Sequence, residues 1–210
     1  MTASEIVIGI DLDNTLVCYD ELFHLAAREE QLIAPSLPKR KEAIRDAIRL
    51  LPDGERHWTR LQAMVYGPRM SQAPLFEGAD FFLQHCALTR TPVKIVSHKT
   101  PSAMLDHQTF DLRQAAREWL ETKGFFANFD LSPADVFFES TRAGKLERIR
   151  SLRCTHFIDD LAEVFAEPAF PPATQKLHFA PHGTAATQSE TRVFTHWREL
   201  DRFFFHDARA

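Results

Sequence analysis

Two carboxylates spaced two residues apart, at the end of an apolar run, are the first groups in this chain equipped for chemistry. The stretch from Ile6 to Asp20 is IVIGIDLDNTLVCYD, and its Asp11 and Asp13 project the same way from an extended chain. A carboxylate beside a cation can act as a nucleophile. A second carboxyl two residues on can protonate a leaving oxygen and then activate water. Further along, polar residues again follow apolar runs. Ser97 ends VKIVS, Arg142 and Lys145 follow VFF, and Asp159 and Asp160 end HFIDD. Four carboxylates in one cleft repel one another, and a divalent cation relieves that repulsion. Ligands that are all oxygen favour Mg2+, which fills its shell with water and phosphate oxygens. Lys145 is a point charge suited to a phosphate, and Ser97 offers a hydroxyl donor.

These groups converge only if the elements before them are strands of one sheet. Five short apolar runs fit that role: Ile6–Ile10, Val93–Val96, Val136–Phe138, His156–Ile158 and Lys176–Phe179. Helical patterns lie between the later ones. Leu112, Ala115, Ala116, Trp119 and Leu120 recur at helical spacing before Gly124, and Leu146, Ile149 and Leu152 begin another helix. Phe194, Trp197, Leu200 and Phe204 mark a terminal helix, and Pro74 to Leu88 supplies the helix before the second strand. Alternating strands and helices predict an α/β fold with a parallel sheet covered on both faces. The ligand crevice of such a sheet lies at the carboxyl ends of its strands, where all the polar groups above fall.

One region breaks the alternation. Residues 18–72 hold no convincing strand but two amphipathic patterns, YDELFHLAAREEQL and KEAIRDAIRLL. The expectation is an all-helical insertion at 18–72, with residues 1–17 and 73–210 forming the α/β domain.

Composition excludes several classes. The chain has 210 residues, 44% of them hydrophobic, enough for one cored domain with an insertion. A net charge of −4 gives no reason to expect nucleic acid or an anionic membrane as partner. No apolar run is long enough to span a membrane. Cys18, Cys86 and Cys154 lie far apart and fit reduced thiols, and the N-terminal stretch lacks the pattern of a signal peptide, so a cytoplasmic location is expected.

The four motifs together resemble those of the haloacid dehalogenase-like (HAD) hydrolase superfamily. IDLDNTL resembles its first motif, VKIVS its second, Lys145 in STRAGKLERI its third and HFIDDLAEV its fourth. The gaps also agree: 86 residues from Asp11 to Ser97, 48 more to Lys145 and 14 more to Asp159. The resemblance implies a Rossmann-like core and a helical cap inserted after the first motif. It implies Asp11 as nucleophile and Mg2+ ligand, and Asp13 as general acid/base with its backbone carbonyl on the metal. Thr15 would support the motif loop. Ser97 and Lys145 would bind the phosphoryl group, and Asp159 would bind Mg2+ with Asp160 beside it. The superfamily's dehalogenases lack the second aspartate of motif one, so Asp13 favours phosphoryl transfer. Asn14 stands where many members carry Gly.

The resulting expectation is a Mg2+-dependent phosphatase acting on a small phosphorylated metabolite through an aspartyl-phosphate on Asp11. Two rivals use the same residues: a phosphomutase, and a module that binds phosphate and metal without turnover. His98, Lys99 and Arg142 are further candidates for substrate contact. Arg56, His57, Trp58, Arg60, Tyr66 and Arg69 form a basic-aromatic group in sequence, read here mainly as packing and solvated charge. Ten histidines show no metal-ligand spacing, which argues against zinc. Phe203–Phe205 is expected to dock the terminal helix.

Overall fold

The computed structural model describes residues 6–183 and 190–206. Strand β1 (Ile8–Ile10) is followed by helices α1 (Asp20–Glu29), α2 (Lys41–Arg49) and α3 (Gly54–Tyr66). Helix α4 (Ala79–Thr89) leads into β2 (Val93–His98). A hairpin of β3 (Ser102–Leu105) and β4 (Gln108–Asp111) precedes α5 (Leu112–Thr122). Then come α6 (Phe125–Asn128), β5 (Val136–Glu139), α7 (Arg142–Ser151) and β6 (His156–Asp159). The chain continues through α8 (Ala162–Ala166), β7 (Gln175–Phe179), β8 (Thr191–Phe194) and α9 (Trp197–Phe205).

Six strands form a parallel sheet in the order β5-β2-β1-β6-β7-β8. The β1 strand lies centrally, with Ile10 paired to Ile95 on one side and to Ile158 on the other. Its three residues are all buried, as a parallel strand covered on both faces requires. The chain leaves β1 toward β2 and β5, then returns across it to β6. The switch point therefore falls at the carboxyl end of β1.

Gly9 is needed in this central strand for close packing. A Cβ there would lie 2.5 Å from the Phe157 ring and 2.9 Å from Cys154 Sγ. Phe157 belongs to a buried cluster with Val96, Leu146, Ile149, Cys154, Val164, Phe165 and Phe170. A second group of rings joins α4 and α9 to the sheet, with Trp197 5.1 Å from Phe82 and 5.5 Å from Phe179 between centroids.

The chain divides into two units, one of Met1–Val17, Leu75–Lys99 and Lys123–Ala210, the other of Cys18–Pro74 and Thr100–Thr122. The second unit departs from the all-helical insertion expected at 18–72, because Thr100–Thr122 joins it and brings the β3–β4 hairpin. The physical reason is the buried face of α5. Trp119 Nε1 donates to the Ala73 carbonyl at 2.8 Å, and Leu112, Ala116 and Leu120 are buried beside it. Arg60 then ties the hairpin to the helices, reaching Glu30 at 2.6 Å and Asp106 at 2.8 Å. Within α2, Ile44 and Ile48 are buried and the charges face outward, as the pattern predicted.

Two other boundaries differ from expectation. Phe194 ends the strand β8 instead of opening the terminal helix. That helix begins at Trp197, where Glu199 accepts from the backbone N–H groups of Thr195 and His196. Helix α4 begins at Ala79 and not near Pro74, because Gly78 adopts φ +85° before it. Among the described residues no helix is long and apolar enough to cross a membrane, and all three cysteines are free thiols.

Candidate active site

The first unit holds the whole motif set. Asp11 follows β1 directly, and its N–H donates to the Ile158 carbonyl at 2.9 Å. That bond sets Asp11 beside Asp159, the last residue of β6. Between them sits Lys145. Its Nζ lies 2.5 Å from Asp11 Oδ1 and 2.6 Å from Asp159 Oδ2. All three side chains are buried.

Lys145 reaches this position through a local chain of causes. The Thr141 hydroxyl oxygen accepts from the Gly144 N–H at 3.0 Å and caps the start of α7. The first turn then turns Lys145 inward with Leu146 and Ile149. The Phe157 ring lies 5.3 Å from the ammonium and shields it from the core side.

The electrostatics follow from burial and charge. Burial pushes the Asp11 carboxyl up to about 7; Lys145 opposes this, while Asp159 and Asp13 add to it. Burial by itself would lower Lys145, but the Asp11 and Asp159 charges outweigh it and hold the ammonium above its ordinary value. Two of the three N–H groups of Lys145 go to carboxylates, so the third can serve a phosphoryl oxygen.

Asp13 has a partner of its own. Lys99 Nζ approaches both of its carboxylate oxygens, at 2.7 and 3.0 Å. Lys99 is only 4% exposed, so it is a buried partner of Asp13 and not a surface residue of the loop. Its backbone N–H donates to the Glu139 carbonyl at 2.9 Å, which extends the β2–β5 pairing and aims the side chain. Asn14, next to Asp13, adopts φ +60°. Asn tolerates that left-handed conformation better than most residues, which accounts for its standing at a position suited to Gly.

Thr15 clamps the first motif loop to the fourth. Its buried hydroxyl oxygen accepts from the Asp160 N–H at 3.1 Å and donates to Asp160 Oδ1 at 3.3 Å. Two residues without any motif reinforce the clamp. His178 Nε2 bonds the Asp160 carbonyl at 3.0 Å, and Trp197 Nε1 donates to the Thr15 carbonyl at 3.1 Å. No local spacing marks either, since each acts on a loop far away in sequence. Asp160 does not cap α8, whose N-cap position is Leu161.

Ser97 is buried on the strand next to Asp11, and among the described residues its Oγ has no hydrogen-bond partner. A hydroxyl left bare in the interior is costly, and a ligand oxygen would satisfy it. Carboxylate oxygens of Asp11, Asp159 and Asp160 lie within 4.8 Å of one another. This donor set is all oxygen and fits a hard divalent cation.

Other candidates stay outside this group. His98 is exposed and bonds the Ser140 carbonyl at 3.2 Å. Arg142 does not join the phosphate side; it pairs with Glu167 at 2.9 Å, on a half-exposed surface. Glu163 is exposed. Within the basic-aromatic group of the second unit, Trp58 and Tyr66 pack and Arg60 and Arg69 form ion pairs. Trp58 stacks on Phe23 at 5.0 Å, and Arg69 pairs with Glu29 at 2.5 Å.

No protein-family model matches the chain, and no curated protein matches it. Solved structures do. A HAD family hydrolase from Deinococcus radiodurans R1 with bound phosphate and sodium is 16% identical, over 95% of this chain and 94% of that one, with a TM-score of 0.56. YfnB from Bacillus subtilis, bound to magnesium, is 14% identical over 96% and 99%, with a TM-score of 0.57. An L-2-haloacid dehalogenase is 16% identical over 96% and 99%, with a TM-score of 0.54. The parallel sheet, its strand order and these likenesses together show that the chain has the fold of the HAD-superfamily hydrolases.

Proposed function

We propose that the chain is a Mg2+-dependent phosphatase that hydrolyses a small phosphate monoester through an aspartyl-phosphate on Asp11. The observation that carries this reading is the grouping of Asp11, Lys145 and Asp159, with Asp13 two residues on and the unsatisfied Ser97 hydroxyl one strand away. Structural likeness alone leaves the reaction open, since the similar structures include an L-2-haloacid dehalogenase and a hydrolase with bound phosphate. Asp13 favours the phosphatase, because halide needs no proton on leaving and an alkoxide does.

Asp11 Oδ attacks phosphorus in line, and the ester P–O bond breaks. Asp13 gives its proton to the departing alkoxide. Asp13 then takes a proton from water, whose oxygen attacks phosphorus and breaks the acyl-phosphate bond. Inorganic phosphate and the free Asp11 carboxylate result. Lys145 and Ser97 donate to the phosphoryl oxygens throughout. Asp11, Asp159 and Asp160 would hold Mg2+, which supplies positive charge against the phosphoryl oxygens and the crowded carboxylates.

Phosphate release from a generic aryl phosphate tests the reading, with and without a chelator, for wild type and Asp11→Asn. Release that needs both the metal and Asp11 supports it. Full activity in chelator, or in Asp11→Asn, overturns it.

A further inference from the structure

A second group of metal-ligating side chains lies where α4 meets α9, apart from the motif residues. His85 Nδ1 is 2.9 Å from Asp201 Oδ1, and His206 Nε2 is 3.6 Å from Asp201 Oδ2. One ligand atom from each residue lies within 4.8 Å of the other two. Donors bonded to one zinc-like ion at about 2.1 Å sit about 3 to 3.5 Å apart, so this spacing needs little adjustment.

The residues are held as a site would need. The His85 ring stacks on Phe205, with centroids 4.3 Å apart and planes inclined by 28°. Phe82 packs against Phe204 and Phe205 behind it. Asp201 is only 4% exposed, yet among the described residues it has no Lys or Arg partner. A buried carboxylate facing only imidazoles lacks a permanent counter-charge, which a bound cation would supply. The His206 side chain is 61% exposed, so an ion has a path in and a coordination position open to water.

We infer that His85, Asp201 and His206 form a binding site for a divalent transition metal of the zinc class. Two imidazole nitrogens and one carboxylate oxygen suit Zn2+, Co2+ or Ni2+ better than Mg2+. The sequence spacing argued against zinc because His85 and Asp201 are 116 residues apart and only the packing of two helices joins them. A bound ion would cross-link α9 to α4.

Zn2+ titration of chelator-treated protein by calorimetry tests the site, with millimolar Mg2+ present to fill the all-oxygen group. Co2+ absorbance provides a readout of nitrogen ligation. The inference expects a single Zn2+ equivalent, weakened about tenfold or more in both His206→Gln and His85→Gln. His206 is exposed, so its substitution leaves the fold intact, as circular dichroism would verify. Absence of Zn2+ binding to wild type, or binding by both variants as tight as that of wild type, overturns the inference.

Discussion

Lys99 holds both carboxylate oxygens of Asp13, at 2.7 and 3.0 Å, from a side chain almost wholly shut off from solvent. The pair joins the end of β2 to the loop after β1, so the orientation of Asp13 depends on a residue two positions beyond Ser97. Lys99 is a positioning residue in this account. Lys99→Gln should lower kcat by about 10- to 100-fold with little change in KM, less than the roughly 100- to 10,000-fold that proton transfer itself contributes, because Asp13 remains in place. Steady-state kinetics on an aryl phosphate would measure it. A wild-type kcat would remove Lys99 from the mechanism.

Ser97 separates folding from function. Its buried Oγ is unsatisfied, so Ser97→Ala should leave stability unchanged or raise it by about 1 kcal/mol. Activity should fall, because a donor to the phosphoryl group is lost. Urea denaturation and kcat/KM on the same preparation give both numbers. A loss of stability with activity retained would mean that the hydroxyl serves the fold and not the substrate.

Gly9 tests the packing under the site. The added methyl of Gly9→Ala meets Phe157 and Cys154, and overpacking of this kind costs about 1–3 kcal/mol. Phe157 also lies against Lys145, so turnover should fall together with stability. Denaturant midpoints unchanged from wild type would show that the strand yields more easily than its neighbours suggest.

His156 gives a pH signature unrelated to catalysis. Its burial beside β7 lowers its pKa below the ordinary value of 6.5. The unfolded chain therefore binds a proton more readily than the folded one as pH falls below that value. Stability is fully present above about 6.5 and declines on acidification toward the lowered folded value. His156→Gln should flatten this part of the profile, as urea midpoints at pH 7.5 and 5.5, roughly either side of the ordinary histidine value, would show. An unaltered slope would assign the acid sensitivity to other groups.

Much of the site was legible because each motif is a polar residue placed just after an apolar run. Parallel strands carry such residues to one edge without further information. Asp11, Asp13, Ser97, Lys145 and Asp159 could be found that way. The third motif remained ambiguous between Arg142 and Lys145 until the start of α7 was known. Capped at Thr141, that helix turns Lys145 inward, while Arg142 reaches Glu167. Lys99 was ambiguous as well, since a lysine after a strand faces solvent as often as a partner. His178 and Trp197 could not be seen, because they act across the fold on loops they do not resemble. The hairpin β3–β4 escaped for a different reason. SAMLDHQTFD is short, with Asp106 and His107 both at positive φ in its turn, a geometry more typical of Asn-Gly or Asp-Gly. The strand β8 was hidden by Phe194, which fits a helical pattern with Trp197 equally well.

The central claim is that Asp11 becomes phosphorylated. Its most direct test is to mix the protein with an aryl phosphate and Mg2+, quench in acid, reduce with borohydride and sequence the first motif by mass spectrometry. Asp13→Asn is the protein to use, since it should form the acyl-phosphate and release it slowly. The account predicts homoserine at position 11, and none in Asp11→Asn. Unmodified Asp11 while phosphate is still being released would contradict it.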